Sequence, residues 1–208
     1  MESIYYVAAW ACHRRCRHCY EDRFRPYARG ELESVVREAT ENMPRIVDHL
    51  PERMTYLDRG DLRADGSPTE KQGRIILSGG EFLLEALRER LSYPLVERLA
   101  ARYRGAGGVK IAVQTTGDIL TDEIVAALLQ RGVYMISVAS IDDFHVGLEG
   151  ADKQRAFVEE LTGLFERHGM REATGFELLR RTARQLDRQA LAARARVGER
   201  SVHRDARR

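Results

Sequence analysis

The chain has three cysteines, Cys12, Cys16 and Cys19, all within eight residues. Their spacing is Cys-x3-Cys-x2-Cys. Thiolates are the ligands that soft iron–sulfur clusters require. Three thiolates on a cube of four irons leave one iron without a protein ligand. That open corner is where a cofactor or substrate can chelate, so three cysteines rather than four is chemically meaningful for a [4Fe-4S] cluster. An odd count in one tight group does not build a disulfide framework. Arg14, Arg15 and Arg17 lie among the thiols. They are expected to favour thiolate over thiol and to offset cluster charge.

Three other chemistries fit parts of this segment. Cysteines at i, i+4 and i+7 also share one helix face as small buried apolar groups, but the interleaved charges make such a face odd. Zinc is a stronger rival, because His13 or His18 completes a tetrahedral set. Structural zinc sites usually draw ligands from two separated segments, and no second Cys/His pair follows downstream. A redox pair in Cys16-Arg17-His18-Cys19 leaves Cys12 without a task.

The elements that must position these residues show in the apolar pattern. Residues 4–9 are rich in β-branched and aromatic side chains and predict a buried strand running straight into the cysteine segment. Further strands are predicted at 74–77, ending in Ser78-Gly79-Gly80-Glu81, and at 110–114, ending in Thr115-Thr116-Gly117. A fourth, at 134–138, ends near Ala139-Ser140. Residues 31–50 place Leu32, Val35, Val36, Ala39, Met43, Ile46, Val47 and Leu50 on one helical stripe, which Pro44 is expected to kink or split. Residues 51–73 are polar, with Gly60, Gly66, Pro68 and Gly73, and predict a loop or insertion. Residues 83–104 predict a helical stretch interrupted near Pro94. Thr121 is expected to cap a helix with Asp122 and Glu123 in its first turn and Gly132 past its end. A last helix is expected over 152–168, with Gly169 at its C-terminal cap.

Strands alternating with helices imply an α/β fold with a parallel sheet, and right-handed crossovers curl such units toward a barrel. Residues 1–170 thus predict a partial (β/α) barrel of about four βα units. Active sites in these folds sit at the C-terminal ends of the strands. Three cysteines, Gly-Gly-Glu, Thr-Thr-Gly and a Ser-containing end would converge at one rim.

A strand, then Cys-x3-Cys-x2-Cys, then a second strand ending Gly-Gly-Glu resembles the radical S-adenosylmethionine (SAM) superfamily. Cys12-x-x-Arg15-Cys16-x-His18-Cys19-Tyr20 and Leu77-Ser78-Gly79-Gly80-Glu81-Phe82-Leu83-Leu84 are similar to its peptide- and protein-modifying SPASM/twitch-type branch. That branch commonly has Pro where Phe82 stands, and no cysteine follows Cys19 here to hold auxiliary clusters. The likeness spans about residues 4–168. It implies a radical SAM type of partial barrel, with SAM bound to the open iron through its amino and carboxylate groups. Reductive cleavage would give methionine and a 5′-deoxyadenosyl radical that abstracts hydrogen from a substrate, such as a peptide or protein. An external electron donor such as flavodoxin or ferredoxin is implied as well.

The same resemblance assigns residues. Cys12, Cys16 and Cys19 would be the cluster ligands, and His18 would lie near adenine. Gly79, Gly80 and Glu81 would meet the methionine amino group, the glycines allowing close backbone approach and the acid complementing an ammonium. Without the cysteines, Gly79-Gly80 reads equally as an ordinary strand-end turn. Thr115 and Gly117 belong to a Thr-Asn-Gly-like strand end, with Thr116 in the Asn place. Ser137 lies in an Ile-Ser-Leu-like segment that reaches the SAM ribose, although Ala139-Ser140 replaces the usual Asp-Gly. His145, in Asp142-Asp143-Phe144-His145, stands where the family often carries a His, and a structural role is the competing assignment.

Length and composition bound the rest. A chain of 208 residues suggests one domain, and 43% hydrophobic with 32% charged residues fits a globular protein. No apolar run approaches the roughly 18 residues of a membrane helix, and Met1-Glu2-Ser3 opens no basic n-region, so a cytoplasmic location is expected. The net charge of +2 is uneven: residues 171–208 hold eleven Arg against five acids, leaving the rest mildly acidic. Such a tail is solvated or meets an acidic partner; nucleic acid is disfavoured because no stacking aromatics interleave the Arg residues. With no β-branched run, residues 171–208 predict helix over about 176–196 and no further strand. The barrel would then stop early, by natural truncation or a changed reading frame after about Met170. The competing function is a non-catalytic iron–sulfur or zinc-binding protein, truncated or partner-dependent.

Overall fold

The computed structural model describes residues 1–17, 19–139 and 141–173, and the backbone of a strand at 201–204. In chain order the elements are β1 (Ser3–Ala9), α1 (Arg29–Asp48), β2 (Thr55–Leu62), β3 (Pro68–Gln72), β4 (Arg74–Gly79) and α2 (Glu85–Leu87). A π-helical turn (Arg88–Ser92) leads into α3 (Tyr93–Tyr103). Then come β5 (Lys110–Thr115), α4 (Asp122–Gln130), β6 (Val133–Val138), α5 (Ala151–Arg167), β7 (Met170–Glu172) and β8 (Ser201–Arg204).

The main sheet has the order β1-β4-β5-β6-β8-β7. Its first four strands are parallel and sequential. Each is separated from the next by at least one helix, as a parallel crossover requires. All four C-terminal ends therefore lie along one edge, and that edge receives the cysteine segment, Gly79-Gly80-Glu81, Thr115-Thr116-Gly117 and the loop after Val138.

Register explains the core. Tyr6, Leu77, Val113 and Ile136 form one row across the sheet, and Ile4, Ile75, Ile111 and Val133 another. These rows join Val36, Met43, Val47, Leu95, Leu99, Ile124 and Leu128 of the helices in one apolar cluster. Full burial of each such side chain stabilises by about 1.5–3 kcal/mol. The alternate residues face the other way. They form the row Tyr5, Ile76, Ala112 and Met135, with Val7, Ser78, Gln114 and Ser137 beyond it. Tyr5 is 67% exposed there.

The helix ends follow their sequence signals. The Thr121 hydroxyl accepts from Ile124 N and caps α4. Gly132 (φ +97°) and Gly169 (φ +67°) end α4 and α5 in the left-handed region. The α-helical pattern before α3 is interrupted by the π-helical turn Arg88–Ser92, and Pro94 stands in the first turn of α3.

Three expectations need correction. Of the loop or insertion expected over residues 51–73, the structure shows an inserted antiparallel hairpin, β2 with β3, and not a loop; its polar strands, tied by Lys71 to Asp58 and Asp61, gave no apolar signal. Pro44 does not split α1, which runs as one helix of 20 residues. Burial of Val36, Met43 and Val47 outweighs the roughly 3 kcal/mol cost of an interior proline. Strands do occur beyond Met170: β8 pairs antiparallel with β6, and β7 with β8. Such short strands have no room for a β-branched alternation; β8 pairs on the open edge of β6, and β7 pairs on β8. The expected early stop rested on the absence of strands there and loses that support. The helix expected over 176–196, His18 and Ser140 lie outside the described residues.

Candidate functional site at the strand ends

The cysteine segment leaves β1 and returns upon itself. Ala11 bridges to Arg25, and Cys12 N donates to Arg25 O at 3.1 Å. Beneath this closure Trp10 stacks on Phe24 with ring centroids 5.6 Å apart, and the Arg23 guanidinium covers the Trp10 ring at 3.7 Å. Both ends of the excursion are thus anchored.

The neighbouring strand ends grip it. Gly80 N donates to Ala9 O and Glu81 N to Ala11 O, at 3.1 and 2.8 Å. A side chain on Gly79 would overlap Ala9 O, and one on Gly80 would overlap Ala11 O. The two glycines are therefore required by the approach of β4 to the start of the cysteine segment. At the β5 end, Asp118 Oδ2 accepts from His13 Nε2 at 2.7 Å and from Arg14 Nη2 at 2.7 Å. Arg14 Nη1 donates to Val146 O at 2.6 Å, joining the loop between β6 and α5.

Within this rim Cys12 is buried, and Cys16 and Cys19 are half-buried; all three are free thiols. Arg14 N donates to Cys12 Sγ at 3.4 Å, and Cys19 Sγ donates to Glu21 O at 3.5 Å. Burial pushes the Cys16 thiol up, reinforced by Cys12 and Cys19, while Arg14 and the Val146 N–H act against the rise. Arg14 favours the Cys16 thiolate, as expected of the arginines, but burial outweighs it. Arg14 is neutralised by Asp118, and desolvation exceeds the remaining attraction. Among the described residues, no three His, Cys, Asp or Glu side chains gather around a single-ion site. By residue type, three thiols are the donors that an iron–sulfur cluster takes.

Glu81 is 0% exposed. Its carboxylate accepts from Leu83 N at 2.9 Å and Thr116 N at 2.7 Å, and it meets the Thr115 and Thr116 hydroxyls at 2.8–3.0 Å. The Thr115 hydroxyl also accepts from Gly117 N at 3.1 Å. Glu81 and Thr115 thus bind the ends of β4 and β5 to each other. Burial raises the Glu81 carboxyl above its ordinary value, and the hydrogen bonds from Thr116 and Leu83 oppose that rise. The Thr116 hydroxyl has one proton to offer and lies between Glu81 and Asp118.

The other expected residues are distributed as follows. Gly117, at φ +85°, packs where an added Cβ would stand 2.9 Å from Val138 Cγ1 and 3.1 Å from Phe157. Ser137 is buried on the sheet face away from the apolar rows. His145 is also buried, 3.2 Å from Asp142 Oδ1. Sequence reading missed Asp118 as a site residue, and it weighed His13 only as a zinc ligand. The available signal was an acid directly after the Thr-Thr-Gly strand end.

Asp118 is held well below the usual carboxylate range despite the desolvation that opposes this, because His13, Thr116 and Arg14 all hydrogen-bond to it. The same pairing raises His13 to about 9. A cavity of about 460 Å³ lies elsewhere, lined by Val138, Ile141, Leu161, Phe165 and Met170, and no cysteine borders it. No described helix is long and apolar enough to cross a membrane. Comparisons with protein-family models, curated proteins and solved structures give no match for this chain.

Proposed function

We propose that this chain is a radical SAM protein of partial-barrel type, holding one [4Fe-4S] cluster on Cys12, Cys16 and Cys19. The observation that carries the reading is the fastening of a three-thiol segment, which leaves β1, to the C-terminal ends of β4 and β5 and to the loop that follows β6. Parallel α/β sheets bind ligands at that edge. Bound together, cluster and SAM supply one-electron cleavage of SAM to an adenosyl radical, for hydrogen abstraction from a substrate such as a peptide. The chain's own part is to position and to exclude water. Gly79 and Gly80 keep the β4 end free of side chains beside the segment, and Glu81 and Thr115 hold the rim rigid. His18, Gly117 and Ser137 belong to the proposed SAM surroundings. An electron donor of the flavodoxin or ferredoxin kind would be required, and a cytoplasmic setting suits the free thiols.

One observation favours a second reading. Glu81, the acid meant for the SAM ammonium, is enclosed by its own chain's donors. A cluster-binding protein without catalysis needs no such acid. Anaerobic reconstitution, iron and sulfide analysis, and a reductant-driven assay for 5′-deoxyadenosine separate the two. Four irons per chain with cleavage supports the enzyme, and a cluster without cleavage supports the second reading. Zinc at the thiols without iron or sulfide removes the cluster and leaves the non-catalytic zinc-binding alternative. In Cys16→Ser, cluster content should fall to background.

A further inference from the structure

Between its anchored ends the described residues of the cysteine segment have little apolar hold, Tyr20 meeting the Phe24 ring edge-on at 5.4 Å. Ala11 and Phe24 are buried, but no described residue from 13 to 23 is. Its attachment there is polar and centres on one carboxylate. Asp118 stands in the turn after β5, more than a hundred residues from its partners in the chain. Its Oδ2 accepts from His13 Nε2 at 2.7 Å and from Arg14 at 2.7 Å through Nη2 and 3.0 Å through Nε. Its Oδ1 meets the Thr116 hydroxyl, which also reaches the buried Glu81. The remaining arm of Arg14 donates to Val146 O at 2.6 Å. A planar guanidinium engaged along both edges fixes orientation as well as distance.

We infer that Asp118 is a positioning residue that latches the cysteine segment onto the strand ends, setting Cys12 and Cys16 in place before a cluster is bound. His13 and Arg14 follow Cys12 directly, so holding both confines the thiols on either side of them. Through Arg14 the same carboxylate also ties in the loop before α5. The inference rests on the reading of this segment as a cluster-binding loop, and it adds the element that preorganises the loop.

The test uses the full chain in two states. In the metal-free protein, iodoacetamide alkylation of each cysteine is followed by mass spectrometry as a function of pH and reported as the thiolate rate constant, so that a changed thiol pKa does not masquerade as access. Loss of hydrogen bonds to a charged group is enough to raise local opening by about tenfold. Asp118→Ala should therefore alkylate Cys12 and Cys16 about tenfold faster than wild type, with an unchanged far-UV spectrum. Asp118→Asn, which keeps an acceptor, should fall between. After anaerobic reconstitution, Asp118→Ala should lose iron to a chelator faster and broaden the electron paramagnetic resonance signal of the reduced cluster, with Asn again restoring part. If Asp118→Ala fails to fold, Arg14→Gln is read the same way, since it cuts the arm that spans Asp118 and Val146. Wild-type alkylation rates in the folded variants overturn the latch. If wild type takes up no cluster, the functional reading falls, while the alkylation rates still decide the latch.

Discussion

Replacing Glu81 tests the rigid rim most directly. Alanine removes the acceptor for the Leu83 and Thr116 N–H groups, which donate to Glu81 at 2.9 and 2.7 Å. Each buried donor left without a partner costs about 1–3 kcal/mol, so the pair sets a loss of about 2–6 kcal/mol. Glutamine keeps one acceptor oxygen and should lose about 1–3 kcal/mol. The assay is urea unfolding, with the midpoint shift read at constant slope. The pH dependence adds a sign. Burial raises the folded carboxyl above its ordinary 4.5, so the native state keeps this proton longer than the unfolded chain. The contribution is full below about 4.5 and is lost as pH rises through the folded value. Glu81→Gln should flatten that limb of the wild-type profile. A loss under about 1 kcal/mol in Glu81→Ala would refute the enclosure, and an unflattened limb in Glu81→Gln would refute the raised carboxyl.

Three further outcomes are expected. His13 rises from 6.5 to about 9, so its pairing with Asp118 stabilises fully below 6.5 and fades as pH passes about 9; His13→Gln should erase this decline in melting temperature in the metal-free protein. Gly80→Ala forces the β4 turn against Ala11 O, so it should destabilise by about 1–3 kcal/mol in urea unfolding and reduce cluster uptake. Thr121→Ala removes the α4 cap and should cost about 1 kcal/mol with no change in cluster content, which makes it the control for general loss of stability.

Much of the layout was legible because local patterns carry it. Apolar runs marked all four parallel strands, Thr121 and Gly132 marked the ends of α4, and the cysteines fell at the end of the first strand. Alternation of strands and helices then placed the four chemically distinct ends on one edge. The hairpin at 51–73 was not legible, since its strands bury little and lack a period-two apolar signal. Nor were β7 and β8, which are three and four residues long and pair β8 on the open edge of β6 and β7 on β8.

The residues at Cys12, Cys16 and Cys19 fix by type and spacing alone which metals the segment could take, because ligand chemistry is a property of side chains. Where Glu81 and Asp118 direct their carboxylates is a different kind of fact. Glu81 turns inward because the β5 end offers one backbone donor, Thr116 N, and two hydroxyls, and Leu83 N adds a second backbone donor, all within 3.0 Å. Asp118 turns toward the cysteine segment because the parallel register brings His13 and Arg14 beside it across more than a hundred residues. Such partners meet only once the sheet has formed, and no periodicity along the chain encodes them.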